Sequence, residues 1–147
     1  MGEVNEKRLA LRDGALQFLK FCLVGGSGVL VNLAVFNATL LVLHSHRPPA
    51  GDYLANGLGF LVAVISNYYL NRRWTFRSDG AVASEFAKFL AVSIAAYALN
   101  LGVFALFRSR LGLGPTLSQI LAIAFVMPFS YLVNRLWSFR PAGRMSV

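Results

Sequence analysis

Hydrophobic positions collect into four stretches free of Asp, Glu, Lys and Arg: 21–43, 53–71, 89–107 and 111–134. They are 23, 19, 19 and 24 residues long. A helix needs roughly 20 apolar residues to cross about 30 Å of hydrocarbon. A helix of a soluble bundle keeps a charged face toward water, and none of these stretches has one. The pattern predicts an all-α membrane protein with four transmembrane helices, at about 18–43, 53–71, 87–107 and 114–134. The first stretch follows some twenty polar or mixed residues and is longer than the apolar core of a signal peptide, about 7–15 residues, so it reads as a retained span. Gly25-Gly26-Ser27-Gly28 falls inside it. That run is either a close-packing patch for a neighbouring helix or a local unwinding along a pathway.

Composition adds a direction. Apolar residues make up 56% of the chain, and 14 basic against 6 acidic residues give a net charge of +8. Such a chain is a membrane protein with basic loops or a nucleic-acid binder, and the distribution of charge decides. Eleven basic residues flank one side of the predicted spans: Lys7, Arg8, Arg12, Lys20, Arg72, Arg73, Arg77, Lys88, Arg135, Arg140 and Arg144. The other side has Arg47, Arg108 and Arg110. This bias predicts that both termini and the middle loop are cytoplasmic. It also argues against dual-topology insertion. With its basic residues divided among membrane flanks, the chain has no compact groove for nucleic acid.

The sequence repeats itself. Phe18-Leu19-Lys20-Phe21 returns as Phe86-Ala87-Lys88-Phe89, and Asn32 as Asn100, 68 positions later. Asn71-Arg72-Arg73-Trp74-Thr75-Phe76-Arg77 returns as Asn134-Arg135-Leu136-Trp137-Ser138-Phe139-Arg140, with Tyr68 returning as Tyr131, 63 positions later. The five-position difference is absorbed between the two helices of each half. Each half is then a helical hairpin, at about 16–78 and 84–141. Each crosses an even number of times, so the two are expected to be parallel repeats about an axis along the membrane normal.

Paired helices, a Lys-Phe entry to each pair, a mid-helix Asn and repeated Asn-Arg-x-Trp-Thr/Ser-Phe exits resemble the GtrA-like family of small four-helix membrane proteins. The resemblance covers roughly residues 16–140, so the whole chain is read as a single GtrA-like transmembrane domain. It implies a role in making cell-surface polysaccharide or glycan, by flipping a polyprenyl-phosphate-linked sugar from the cytoplasmic to the outer leaflet of the cell (inner) membrane. The second copy has Leu136 for Arg73 and Ser130 for Asn67, which assigns more of the polar contact to the first half.

The candidate substrate-binding residues are Lys20, Asn32, Asn67, Asn71, Arg72, Lys88, Asn100, Asn134 and Arg135. Arg72 and Arg135 stand where a helix leaves the membrane. They are topological anchors, or they capture phosphate, which guanidinium matches in a bidentate way. Lys20 and Lys88 stand at the cytoplasmic starts of helices 1 and 3, where free N–H groups and the helix dipole also favour an anion. Repetition offers these four cations to one lipid phosphate between the halves. An amide in hydrocarbon needs a partner, so the five asparagines either bond between helices or line a path for a sugar headgroup. Trp74, Trp137, Tyr68 and Tyr131 read as an interfacial belt, with stacking on a sugar ring or flanking the prenyl chain as the alternative. Pro128 is expected to kink helix 4.

Other chemistry is poorly supplied. His44 and His46 lack a third ligand nearby. Cys22 is the one cysteine and reads as an apolar filler. No carboxylate lies in the four stretches to serve as an intramembrane proton relay, and no nucleophile–base pairing or phosphate loop stands out. The chain is therefore expected not to be an enzyme and to need no cofactor. Its expected partners are membrane lipid, the polyprenyl-phosphate sugar and a second copy of itself in a homo-oligomer. Two other functions stay open. One is a membrane adaptor that anchors or recruits a glycosyltransferase. The other is a small four-helix drug exporter, which the missing membrane Glu and the one-sided charge disfavour.

The topology is directly testable. With single cysteines at Ser78 and Ser45 in a Cys22→Ser background, a membrane-impermeant thiol reagent applied to intact cells should label position 45 alone. Labelling of position 78 from outside would reverse the assignment.

Overall fold

The computed structural model describes residues 2–43 and 51–140. The expectations for His44, His46, Arg47 and Arg144 lie outside the described residues. Four helices carry the described chain: α1 Gly2–Leu43, α2 Gly51–Leu70, α3 Val82–Arg110 and α4 Pro115–Val133. α2 and α4 each run on into one π-helical turn, Asn71–Thr75 and Asn134–Ser138. No strand occurs among the described residues. The chain is an all-α membrane protein. Three segments are long and apolar enough to cross a bilayer, Arg8–Leu43, Val82–Arg110 and Thr116–Ser138.

α1 begins sixteen positions before the expected start at residue 18. Its 42 residues extend roughly 63 Å at 1.5 Å each, about twice a hydrocarbon core. Between Gly2 and Gly14 the early turns have no proline or glycine to stop them, so the polar segment continues the helix. α1 is also helical through Gly25–Gly28, so no unwinding occurs there.

The chain forms two compact units, Met1–Arg77 and Ser78–Val147. In the first, α1 packs on α2. α2 buries Ala55, Gly59, Ala63 and Tyr68, a stripe of mostly small residues at intervals of four and five. Small residues let helix backbones approach closely, and lipid supplies no hydrophobic drive to do it otherwise. The approach is tight at Gly59, where a Cβ would stand 2.9 Å from the backbone oxygen of Asn32. In the second unit α3 packs on α4, whose buried Ser118, Ala122, Val126 and Tyr131 repeat the same stripe 63 positions on. Large apolar side chains such as Leu30, Leu41, Val42, Ile94 and Phe125 face outward, which suits lipid rather than water. Pro128 lies inside α4, which continues to Val133.

The turns fit their sequences. Gly112 takes a left-handed φ of +62° between α3 and α4, a conformation in which glycine carries no Cβ penalty. There the Leu113 N–H donates to the Phe107 carbonyl at 3.3 Å and Arg108 Nη1 donates to the Leu113 carbonyl at 2.6 Å. Pro115 opens α4, where its missing N–H leaves no helical bond unmade.

One difference between the copies compensates another. A Cβ at Gly28 would stand 2.3 Å from Nδ2 and 2.5 Å from Oδ1 of Asn67. The second unit has Ala96 and Ser130 at the corresponding positions, a larger residue opposite a shorter one. Gly28→Ala alone should destabilise the first hairpin by about 1 kcal/mol, the low end of overpacking costs. Gly28→Ala with Asn67→Ser should restore it. Unfolding of the four proteins of this cycle in detergent checks the coupling, and strictly additive effects would reject it.

Candidate functional site

Both copies of the Asn-Arg-x-Trp-Thr/Ser-Phe motif fold alike. Each ends its helix in a π turn closed by an i→i+5 bond, from Phe76 N–H to the Asn71 carbonyl at 2.8 Å and from Phe139 N–H to the Asn134 carbonyl at 2.9 Å. π turns are rare and cluster at functional sites. Each exit returns to the Lys-Phe entry of its own hairpin. Phe21 meets Phe76 with ring centroids 6.1 Å apart and planes at 64°, and Phe89 meets Phe139 at 5.9 Å and 54°. Offset or edge contact of this kind is the favoured aromatic geometry.

In the first hairpin, Lys20 Nζ lies over the Trp74 ring, 5.4 Å from its centroid. That cation–π contact holds the lysine at the exit turn. Gln17 Nε2 donates to the Thr75 carbonyl at 3.1 Å. Arg72 is half-buried, while Arg73 and Arg77 are exposed. Arg77 has a φ of +49°, the one left-handed non-glycine among the described residues. In the second hairpin Lys88 is half-buried beside the buried Phe89, and Arg135 Nη1 donates to the Tyr131 hydroxyl at 3.2 Å. Lys20 and Arg72 thus belong to one hairpin end, and Lys88 and Arg135 to the corresponding end of the other.

The asparagines divide into two sets. Asn71 and Asn134 are 2% and 1% exposed, within the π turns. Asn134 Nδ2 donates to the Ser130 carbonyl at 2.9 Å. The Oδ1 atoms of both asparagines, Thr75 Oγ1 and Ser138 Oγ are buried without a hydrogen-bond partner. Leaving one such group unmade costs about 1–3 kcal/mol. Asn32, Asn67 and Asn100 lie farther along the helices. Asn67 fills the space beside Gly28, and its Oδ1 also has no partner. Asn32 lies against Gly59. Asn100 Oδ1 accepts from Gln119 Nε2 at 3.4 Å, the interhelical bond that an amide in hydrocarbon calls for.

Two corrections follow. Tyr68 and Tyr131, grouped above with the tryptophans as a belt, are instead 0% and 5% exposed, because each ends the small-residue stripe of its hairpin. Trp74 and Trp137 are the exposed pair, at 44% and 49%. Gly25 and Gly26 have open space where a Cβ would be, so of the three glycines in that run only Gly28 stands close against a neighbouring helix here.

Glu85 is a buried carboxylate that the charge-free stretches pass over. It lies in the first turn of α3, 4% exposed. The Ser78 hydroxyl donates to its Oε1, and a Cβ at Gly80 would collide with it. Its repeat partner, 68 positions earlier, is Gln17. Gln17 donates to an exit carbonyl. Glu85 instead accepts from the Ser78 hydroxyl of the loop before α3. The repeat offset, extended three residues before Lys88, marks this position in the sequence.

The architecture defines a membrane protein built of two helical hairpins, each ending in a basic, amide-rich π turn. The chain matches the family model described as GtrA/DPMS, transmembrane domain, over residues 20–139, and it belongs to that family. No curated protein gives a significant match.

Proposed function

We propose that this protein translocates a polyprenyl-phosphate-linked sugar across the cytoplasmic membrane, without catalysing a reaction itself. The observation that carries the reading is the repeated hairpin end. In each copy a lysine at the entry and an arginine at the exit belong to one end, beside buried amides. Cations attract the phosphate, guanidinium gives it a bidentate partner, and outward-facing leucines, valines and phenylalanines suit a prenyl chain. The membership in the GtrA/DPMS family supports the same substrate class. The basic bias supports a cytoplasmic side for both termini and the loop after Arg72, the side on which a lipid-linked sugar of this kind would be taken up.

A second reading is favoured by the length of α1. Its first turns extend the helix ahead of the charge-free stretch and expose Leu9, Leu11 and Leu16 among Arg8, Arg12 and Asp13. This surface fits the adaptor role, with a glycosyltransferase as partner.

The charge-preserving changes Arg72→Lys and Arg135→Lys separate phosphate capture from anchoring. An anchor needs only a cation, whereas a phosphate clamp needs the planar fork. Losing a charge-assisted hydrogen bond costs on the order of 1.5–3 kcal/mol, roughly ten- to hundredfold in affinity. Polyprenyl-phosphate binding to the purified variants, and lipid translocation in vesicles without a pH gradient, should both fall. Variants that bind and translocate like the parent would reduce the basic exits to topological anchors.

A further inference from the structure

Hydroxyl side chains on these helices ordinarily bond back to their own backbone. Ser27 donates to the Val24 carbonyl, Thr39 to Val35, Ser93 to Phe89 and Ser109 to Ala105, all between 2.7 and 2.9 Å. Thr75 and Ser138 do not. They are 5% and 1% exposed, and their hydroxyl oxygens have no partner. Four positions earlier in each turn stands an asparagine whose Oδ1 is equally buried and equally unpaired. The arrangement occurs twice, 63 positions apart, so it is a property of the motif and not an accident of one turn. The residues at i and i+4 lie on one side of a turn that closes i→i+5. In the second copy the Asn134 amide donates to the Ser130 carbonyl, which turns its oxygen away from that carbonyl.

We propose that Thr75 with Asn71, and Ser138 with Asn134, form two equivalent subsites for the hydroxyl groups of the sugar on the carrier lipid. The inference rests on the carrier-lipid reading above and divides the ligand between two kinds of group. A carboxamide oxygen accepts and repels an anion, while a hydroxyl both donates and accepts. Together they match neighbouring sugar hydroxyls and not a phosphate. Lys20, Arg72 and Arg73 at this end of the first hairpin disfavour a metal cation there and suit the phosphate instead. Thr75 and Ser138 thereby join the binding residues, although neither was a candidate from sequence. These oxygens are enclosed in this structure, so the sugar reaches them when the exit turn opens away from the entry helix. Each unpaired oxygen raises the free energy of the closed turn, and the hydroxyls of the sugar supply the missing donors.

The test compares carriers with and without sugar. Protein in nanodiscs is titrated with polyprenyl phosphate and with polyprenyl-phosphate glucose, mannose and galactose. The parent should bind at least one glycosylated carrier tenfold or more tightly than the bare one. Thr75→Val combined with Ser138→Ala should reduce that ratio at least fivefold. It should also melt no lower than the parent, because it replaces buried unpaired hydroxyls with apolar groups of similar shape. Exchanging the hydroxyls, Thr75→Ser with Ser138→Thr, should keep the ratio, and it supplies the result if the first variant does not fold. A parent without preference for any glycosylated carrier, or a valine–alanine variant that keeps the preference, overturns the subsites while leaving phosphate capture intact. Failure to bind even the bare carrier overturns the carrier reading with them.

Discussion

In hydrocarbon two helices gain nothing by hiding apolar surface from water, so a hairpin is held by close packing and a few well-placed polar contacts. Here the packing is supplied by a stripe of small residues on the second helix of each pair, Ala55, Gly59 and Ala63 in one and Ser118, Ala122 and Val126 in the other. Each stripe ends on a buried tyrosine, and an aromatic pair closes the hairpin where it turns into the exit, Phe21 on Phe76 and Phe89 on Phe139. The positions of the basic and amide side chains depend on that closure. Without it Lys20 has no Trp74 to lie over, and the π turn has no partner helix to be buried against.

The two hairpins act as a comparison within one chain. Their backbones agree down to the i→i+5 bond, so differences in side chain read as differences in use. Gly28 with Asn67 becomes Ala96 with Ser130, an exchange of volume that preserves the packing. Gln17 becomes Glu85, of nearly the same shape, and Arg73 becomes Leu136; both exchanges leave the end of the first hairpin more cationic than that of the second. On the proposed reading a single anionic headgroup would be drawn to the first hairpin, and the second would offer the same hydroxyl and amide groups with less charge.

Much of this was legible in the sequence because hydrocarbon imposes a simple rule on it. The charge-free stretches give the helices, and a motif that returns at a fixed offset gives the hairpins. The Lys-Phe entries and Arg-Trp exits were recognisable for the same reason. Other features were not legible. The helix of α1 extends ahead of the span read from the sequence, because polarity marks the edge of a span and not the end of a helix. Tyr68 and Tyr131 were placed with Trp74 and Trp137 because all four are amphipathic aromatics. Which of them faces outward depends on the phase of the small-residue stripe. The π turns leave no signal in composition, since one i→i+5 bond uses the same residues as an α turn. Thr75 and Ser138 read as ordinary helix residues until their missing partners are seen. Glu85 lies just outside a charge-free stretch and is buried by a loop that no periodicity foretells.

The central claim is that the polar end of a carrier lipid is held at the exits of the hairpins. A polyprenyl phosphate bearing a photoactivatable diazirine on its first isoprene unit tests this most directly. After irradiation of the reconstituted protein and digestion, label should be found on residues 67–77 and 130–140 and on the helix starts around Lys20 and Lys88, and excess unlabelled carrier should displace it. Label spread evenly along the outward faces of the four helices, undiminished by competitor, would contradict the account and leave the basic exits as orienting charges alone.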